Sequence, residues 1–467
     1  MPDSLSAQAT QYIPPWKSPY IIGIAGFSGS GKTTVAQKIL QEINEPWTVL
    51  MSMDNFYRPL TAEQREKAFE NEFDFDKPDA LDLDLMCECI KSLKEGKKTE
   101  IPVYSFASHS RTNQKITIYG VNVIILEGLY TLYNPDLAKF MDCKVYVDTD
   151  LDICYSRRLL RDIVERGRDL EGIIKQWDKF VKPNSVRYVK PTMQSADIII
   201  PRGTDNKIAM DLLIEHIHRQ LAAKSAEHLL QLKALGKVEK PIDYNKVHVL
   251  PSTNQLEGMK TILLDRDTPY DSFIFYFNRV ASILISHALD FIEYVPSRAD
   301  NRPVISPTGL IVKDTMFIKD EIIAVDIIRA GDCFIPSLKK MIPGVKVGKL
   351  LIQSDSRTGE PHLHTEKLPA LNTDCNLLLF DAQVISGAAA TMAIKVLLDY
   401  GVSEERVVMC TYLATEAGVK RISNAFPKVT IVVGSLGTSD PSRKGVDHDM
   451  DSWMANRFID ARYFGTD

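Results

Sequence analysis

One short segment constrains the fold of this chain more than any other: Gly26-Phe-Ser-Gly-Ser-Gly-Lys32-Thr33. It fits the phosphate-loop pattern G-x4-G-K-[S/T] in full, and it stands between an apolar run at 20–25 and a helical pattern that begins at Lys32. Glycines in such a loop let backbone N–H groups converge on one anion, in front of the positive end of a helix. The alternative is a glycine-rich turn that matches by chance, and the flanking strand and helix disfavour it.

The motif also predicts the chemistry of its residues. Lys32 is expected to reach the β- and γ-phosphates of ATP, and the Thr33 hydroxyl is expected to bind Mg²⁺. Kinases, GTPases and ATP-driven motors share this loop, so the loop alone does not choose among them. The predicted nucleotide-binding residues are Gly26, Phe27, Ser28, Gly29, Ser30, Gly31, Lys32 and Thr33.

Two series of short apolar runs indicate two α/β domains. The first series lies at 20–25, 48–52, 121–126, 143–147 and 196–200, and the second lies at 322–328, 348–353, 376–380, 407–413 and 430–433. Buried strands separated by helical patterns predict parallel sheets covered by helices on both faces. We predict a flexible tail at 1–18, a first domain at 19–221, a helix running into a linker at 222–245 and a second domain at 246–467.

The composition argues against several classes of function. With 56 Lys and Arg against 61 Asp and Glu, the net charge is −5, so no overall basic field gathers nucleic acid or anionic lipid. No run approaches the ~18–20 uninterrupted apolar residues of a membrane span, and the first residues lack the pattern of a signal peptide. Seven scattered cysteines without a C-x-x-C pair favour buried thiols. We expect a cytoplasmic protein without nucleic-acid or membrane partners.

Two acidic residues follow predicted strands on the edge that carries the phosphate loop. Asp54 comes just after the run at 48–52, and Glu127 ends the strand of V-I-I-L-E-G. Because ligands bind at the carboxyl ends of parallel strands, Asp54 is placed to accept a hydroxyl proton and Glu127 to act through water on Mg²⁺. A solvated aspartate that caps a helix is the alternative for Asp54, and it would be preferred if Asp54 stood alone.

Aromatic residues follow in the segment P-V-Y-S-F-A-S-H-S-R. Tyr104, Phe106 and His109 supply flat and hydrogen-bonding groups suited to a nucleobase, and Asp76 is suited to hold ribose hydroxyls. Ordinary core packing is the alternative for the aromatic residues. We prefer the ligand pocket because Asp54 is predicted to lie nearby.

The segment S-R-R-L-L-R-D-I-V-E-R-G-R-D is rich in arginine. Arg158 and Arg161 are three apart on a predicted helix and share a face, and Arg166 and Arg168 follow around Gly167. Such a cluster is either a solvated basic face or a mobile lid that neutralises a transferring phosphoryl group and excludes water. Both interpretations stay open on this segment alone.

These segments together resemble the uridine–cytidine kinase family. G-F-S-G-S-G-K-T, S-M-D-N-F-Y, F-D-F-D-K-P-D-A, P-V-Y-S-F-A-S-H-S-R, I-L-E-G and the arginine run occur in family order and spacing, through A-D-I-I-I-P-R-G-T-D-N. Phosphoribulokinase and pantothenate kinase share the phosphate loop but are not expected to carry P-V-Y-x-F-x-S-H-S-R. One departure is Lys77, where relatives often carry His, and it leaves the chemistry intact.

The resemblance implies a P-loop kinase domain with a parallel sheet. Its substrates would be uridine and cytidine, phosphorylated at the 5′-hydroxyl by ATP or GTP with Mg²⁺, and we expect a homo-oligomer. Asp54 would be the general base, with Lys32, Arg161, Arg166 and Arg168 acting on phosphates. The implied nucleoside pocket consists of Tyr57, Phe75, Asp76, Tyr104, Phe106, His109, Arg158 and Gln176.

From Val247 onward the chain resembles uracil phosphoribosyltransferase, which joins uracil to phosphoribosyl pyrophosphate (PRPP). The shared segments are L-P-S-T-N-Q-L-E-G-M-K-T-I-L-L-D-R-D-T, I-I-R-A-G, G-K-L-L-I-Q-S-D, E-K-L-P and R-Y-F-G-T-D. They imply a second α/β domain of phosphoribosyltransferase type.

Both ligand loops of that second domain depart from the family pattern. The PRPP loop, expected as D-P-M-x-A-T-G-G-S, retains Asp381, Ser386 and Gly387 but has Ala388 and Ala389 at its end. The uracil loop, expected as P-G-x-G-x-x-G-D-R-Y-F-G-T, has no glycine from 454 to 461. We therefore favour a domain kept for assembly or nucleotide sensing. A bifunctional enzyme that also makes UMP from uracil is the alternative.

Overall fold

A computed structural model of the chain describes residues 12–70, 72–105, 108–165, 167–237, 241–296, 303–313, 315–355, 357–437 and 456–466. The chain divides into two units: Pro15–Ala226 is the first, and Glu227–Asp467 together with residues 12–14 is the second. Each unit is built on a mainly parallel sheet, which confirms the predicted fold class.

The first unit alternates strands and helices along most of its length. Its strands are β1 (Tyr20–Gly26), β2 (Thr48–Ser52), β3 (Thr99–Ser105), β4 (Ser110–Ile118), β5 (Val123–Glu127), β6 (Cys143–Asp148) and β7 (Ile198–Pro201). Its helices are α1 (Lys32–Ile43), α2 (Ala62–Phe69), α3 (Leu83–Lys94), α4 (Pro135–Ala138), α5 (Leu151–Val164), α6 (Leu170–Gln176) and α7 (Lys182–Asn184), and α8 (Lys207–Lys237) begins in this unit.

Five of these strands form a parallel sheet in the order β2-β5-β1-β6-β7. They are the five apolar runs predicted from the sequence. Neighbouring residues of β1 enter different cores: Ile21 packs on the side of α3, and Ile22 packs on the side of α1 and α8. The sheet is therefore covered on both faces, and the carboxyl ends of β1, β2 and β5 meet at one edge.

A two-stranded antiparallel hairpin, β3–β4, lies outside this sheet. The sequence did not predict it, because most side chains of β4 are exposed and give no alternation of apolar and polar residues. The hairpin carries Tyr104 at the end of β3, opposite Arg111.

Two aromatic side chains of the segment predicted as a flexible tail at 1–18 are buried. Trp16 is only 1% exposed, and its ring packs against Tyr119 with a centroid distance of 6.1 Å. Tyr12 is also buried, and its hydroxyl lies 3.1 Å from Nε2 of His228 within the second unit. Residues 1–11 lie outside the described residues.

Helix α8 crosses the boundary between the two units. The boundary falls between Ala226 and Glu227, inside the helix, rather than at the predicted residue 221. The segment predicted as a helix and linker at 222–245 is helical through Lys237, and Gly236 does not end the helix. Leu232 and Leu235 are buried, so packing outweighs the low helix propensity of the glycine.

The second unit also alternates strands and helices. Its strands are β8 (Val247–Val249), β9 (Tyr294–Val295), β10 (Phe317–Ile318), β11 (Ile322–Ile328), β12 (Lys346–Ser354), β13 (Pro361–Lys367), β14 (Asn376–Phe380), β15 (Gln383–Val384), β16 (Val407–Thr415) and β17 (Thr430–Gly437). Its helices are α9 (Asn254–Leu264), α10 (Tyr270–Ala288), α11 (Ile335–Met341), α12 (Ala388–Asp399), α13 (Glu416–Ala425) and α14 (Ile459–Phe464).

The main sheet of the second unit has the order β13-β12-β11-β14-β16-β17-β8, with β15 paired to β16. Only the edge strand β13 is antiparallel to its neighbour. Helix α10 and the turn after it are long and apolar enough to cross a membrane by length and composition. One face of α10, including Phe273, Phe277 and Leu284, is buried in the core of this unit, so α10 is a core helix.

Candidate active site

The phosphate loop connects β1 to α1 and takes a conformation that requires glycine. Gly29 has φ 84° and Gly31 has φ 90°, both in the left-handed region. A Cβ atom on Gly29 would lie 2.3 Å from the backbone oxygen of Cys154, so no side chain fits there. The Thr149 hydroxyl donates to the Ser30 carbonyl at 3.0 Å and holds the loop in place. The loop is thus preformed for an anion at the N-terminus of α1.

Two hydroxyl groups and one carboxylate meet beside this loop. The Thr33 hydroxyl donates to Oε2 of Glu127 at 3.2 Å, and the Ser52 hydroxyl donates to Oε1 at 3.0 Å. Glu127 is 5% exposed at the end of β5. This donor set fits Mg²⁺, which usually takes one or two protein oxygens together with water and substrate phosphate. Among the described residues there is no group of three or more His, Cys, Asp or Glu side chains that resembles a closed metal cage.

Asp54 lies in the turn that follows β2 and lines the cleft next to the loop. Its backbone N–H donates to the Ser52 hydroxyl at 3.3 Å, which is the same hydroxyl that donates to Glu127. Asp54 and Lys32 line the same cleft. The structure therefore brings together the predicted base, the predicted metal ligands and the phosphate loop.

Aromatic rings form one wall of the same cleft. The Tyr57 ring lies 5.9 Å from that of Phe75, and Phe75 stacks on His109 at 5.1 Å. The predicted residue Tyr104 does not line the cleft itself, but its ring packs against Tyr57 at 5.2 Å. Burial raises the pKa of Tyr104 to about 12 and the pKa of Tyr57 well above its usual value. Burial lowers the pKa of His109. Near pH 7 the wall therefore presents the neutral phenol of Tyr57 and a neutral imidazole, which suits an uncharged heterocycle.

Asp76 lies between the aromatic wall and the arginines. Burial raises the pKa of its carboxyl group, and the Arg158 guanidinium at 3.7 Å opposes that shift. Its backbone carbonyl accepts a hydrogen bond from the Tyr130 hydroxyl, and its backbone N–H donates to Oδ1 of Asp74 at 3.0 Å. The backbone is thus fixed on both sides, so the carboxylate is held toward the cleft.

Three of the four predicted arginines reach the cleft. Nη1 of Arg158 donates to the Ser28 hydroxyl of the phosphate loop at 3.0 Å, and Arg161 and Arg168 line the cleft beside it. Gln176 also lines the cleft, with its Oε1 3.5 Å from Nη1 of Arg168. The predicted residues Arg166 and Phe106 lie outside the described residues.

The cleft also contains contacts that the sequence interpretation missed. The Ser52 hydroxyl joins Asp54 to Glu127, and the buried Asp162 contacts arginines of the cleft. Asp162 is four residues after Arg158, a spacing that predicts contact on a helix and could have identified it. Phe73, Leu129 and Phe180 complete the lining.

At the corresponding edge of the second unit, side chains pair with each other. Arg329, after β11, forms a 2.9 Å ion pair with Asp460. Nη2 of Arg457 lies 3.8 Å from the buried Asp381, whose pKa is raised by burial. The carboxamide oxygen of Gln383 accepts from the backbone N–H groups of Phe458 and Ile459 at 2.8 and 3.1 Å. The segment at 456–460 is thus fixed across the edge where the two ligand loops were predicted.

A phosphate loop at the end of the first strand, with a carboxylate and an aromatic-lined cleft beside it, defines an ATP-dependent kinase of small molecules. The model of the phosphoribulokinase / uridine kinase family matches residues 21–209, and that of uracil phosphoribosyltransferase matches residues 249–439. The chain belongs to the uridine kinase family, in the form that carries a C-terminal uracil phosphoribosyltransferase domain.

Relatives match across both units. The chain is 51% identical to a uridine kinase of Saccharomyces cerevisiae, over 98% of this chain and 91% of that protein. It is 42% identical to uridine-cytidine kinase-like 1 of Mus musculus, over 91% of this chain and 77% of that protein. It is 39% identical to uridine-cytidine kinase A of Dictyostelium discoideum, over 97% of this chain and 88% of that protein.

Proposed function

We propose that the first unit transfers the γ-phosphate of ATP to the 5′-hydroxyl of uridine and cytidine, giving UMP and CMP for pyrimidine salvage. The observation that carries the proposal is the single cleft that joins the phosphate loop, Asp54 and a wall of neutral aromatic side chains. Relatives named uridine kinase and uridine-cytidine kinase support the same choice of substrates. GTP is a second candidate donor, since the loop grips phosphates rather than the base.

Different residues of the cleft bind the nucleoside and accept its proton. The nucleobase stacks among Tyr57, Phe75 and His109, and Asp76 accepts hydrogen bonds from the ribose hydroxyls. Asp54 takes the proton of the 5′-hydroxyl as that oxygen attacks the γ-phosphorus, and the bond to the ADP oxygen breaks.

Positive charge in the cleft stabilises the transferring group. Lys32 contacts the γ-phosphate during its transfer, and Arg161 and Arg168 neutralise the charge that spreads over the phosphate oxygens. Thr33 and, through water, Glu127 would hold Mg²⁺, which would supply positive charge to the phosphate groups.

Steady-state kinetics of the full chain test this proposal. Uridine and cytidine should each give ADP and a nucleoside monophosphate, adenosine should not, and removal of Mg²⁺ with EDTA should abolish turnover. ATP and GTP are compared as donors at fixed uridine. Turnover of adenosine at the rate of uridine, or none with uridine, would contradict the proposed specificity.

We further propose that the second unit does not make UMP from uracil and PRPP, and that it serves assembly of a homo-oligomer in the cytoplasm. The ion pairs Arg329–Asp460 and Arg457–Asp381 support the absence of this activity. In these pairs Arg329 and Asp381, which a phosphoribosyl ligand would need, already contact protein side chains of opposite charge. All seven cysteines are free thiols, which is typical of a reducing compartment.

The full chain incubated with uracil and PRPP should form no UMP above background. The double variant Ala388→Gly with Ala389→Ser should not create this activity, because the segment at 456–460 still crosses the ligand edge. UMP formation by the unmodified chain from uracil and PRPP would favour the bifunctional alternative. Sedimentation of the full chain measures the oligomer, and a monomer would contradict the assembly role.

A further inference from the structure

Asp162, on helix α5, is the acidic residue around which the arginines of the kinase cleft are arranged. Its side chain is 0% exposed, and it does not itself line the cleft. Its Oδ1 atom accepts from Nε of Arg161 at 2.9 Å. Its Oδ2 atom lies 3.3 Å from Nη1 of Arg168 and 3.6 Å from Nε of Arg158. One buried carboxylate therefore contacts all three described arginines of the cleft.

The local backbone makes this arrangement possible. Arg158 and Asp162 are four residues apart on α5, so their side chains lie on one face of the helix. After the helix, Gly167 takes φ 62°, and the chain turns back so that the Arg168 backbone N–H donates to the Asp162 carbonyl at 3.0 Å. Backbone and side chain of Asp162 thus both hold Arg168.

Three guanidinium groups that line one cleft repel each other and would spread apart without a shared counter-charge. Each guanidinium side chain also has many rotamers, which must be restricted before it can act on a phosphate. A buried carboxylate that contacts all three meets both requirements, and it leaves net positive charge facing the cleft. Catalysis by fixed charges depends on such preorganisation.

We propose that Asp162 is a positioning residue for phosphoryl transfer, acting through Arg161 and Arg168 without touching either substrate. The proposal rests on the proposed kinase function of the first unit. Arg158 depends on Asp162 less, because it also contacts Ser28 at 3.0 Å and Asp76 at 3.7 Å. Loss of the Asp162 charge should therefore affect groups that contact phosphate more than groups that contact the nucleoside.

The test compares Asp162→Asn with wild type in the full chain. The kcat for uridine should fall by about 10- to 100-fold, as expected when charged groups lose their position, while KM for uridine changes by less than about threefold. Calorimetry should show UMP binding weakened about tenfold more than uridine binding, since only UMP carries the phosphate that these arginines meet. Asp152→Asn is the matched control, because it removes the same charge from an exposed position of α5. Its kcat for uridine and its ratio of UMP to uridine affinity should stay at their wild-type values.

Asp162→Glu keeps the charge but displaces it, and it replaces the amide variant if that variant does not fold. It should weaken UMP binding relative to uridine by a smaller factor than the amide. The proposal is overturned if a folded Asp162 variant has a lower melting temperature but wild-type kcat and a wild-type ratio of UMP to uridine affinity. That outcome would make Asp162 a residue of stability alone. Absence of uridine phosphorylation by the wild-type chain would instead overturn the proposed function, before any variant is compared.

Discussion

Replacing Asp54 by Asn removes the proposed general base and keeps the size of the side chain. The Asp54 backbone N–H donates to the Ser52 hydroxyl at 3.3 Å, and the substitution leaves that bond in place. The Ser52 hydroxyl can still donate to Glu127, so the predicted metal ligands keep their geometry. The amide has the size of the carboxylate but cannot take a proton. A general base contributes about 10²- to 10⁴-fold to the rate, or about 3–5 kcal/mol of barrier.

We therefore expect kcat for uridine to fall by at least about 100-fold, with KM for ATP and the melting temperature close to wild type. A coupled assay of ADP release measures the rate, and thermal unfolding monitors the fold. Asp79→Asn, an exposed aspartate in the same unit, controls for the loss of one negative charge and should leave kcat unchanged. If Asp54→Asn turns over within about fivefold of wild type, Asp54 is not the base and the reasoning fails.

Three further predictions address the nucleotide site, the nucleoside site and the fold. Lys32→Ala should abolish ADP release while uridine still binds in calorimetry, because the lysine acts on phosphate alone. KM for uridine should rise as pH falls, because burial raises the pKa of Asp76 and a protonated carboxyl group accepts fewer hydrogen bonds. Arg158→Gln removes the positive charge that opposes this shift, so in that variant the rise in KM should begin at a higher pH. Trp16→Ala should cost about 3–5 kcal/mol of stability in urea unfolding, and an unchanged midpoint would show that the segment is a tail after all.

The sheets were predictable because their strands are short, almost wholly apolar and separated by helical patterns. In β5 and β14 every residue is buried, so the hydrophobic run and the strand coincide. The hairpin β3–β4 and the packing of Trp16 and Tyr12 were not predictable in the same way. Each depends on contacts distant along the chain, which leave no periodic signal in the local sequence.

The phosphate loop was predictable to the residue, because its geometry is local: Gly29 and Gly31 stand where the backbone needs a left-handed conformation. The contacts between charged side chains were harder to predict from the sequence. That Glu127 accepts from Ser52 as well as Thr33 depends on β2 and β5 being neighbours in the sheet, an order that the sequence does not state. The burial of Asp162, on which its contacts with the arginines depend, is shown only by the fold.

In the second unit, the residues that depart from the family pattern at the ligand loops matter through the contacts that they make. Loss of glycine from the uracil loop removes backbone that can approach a ring, and this alone would weaken binding. Arg457 and Asp460 go further, because each places a charge against a partner at the ligand edge: Arg457 against Asp381, and Asp460 against Arg329. A ligand would have to break both pairs before it could use Asp381 or Arg329, and Asp381 is buried, where an unpaired charge is costly. The charged groups of the described part of this edge therefore pair with each other, which supports the proposal that the second unit serves assembly rather than catalysis.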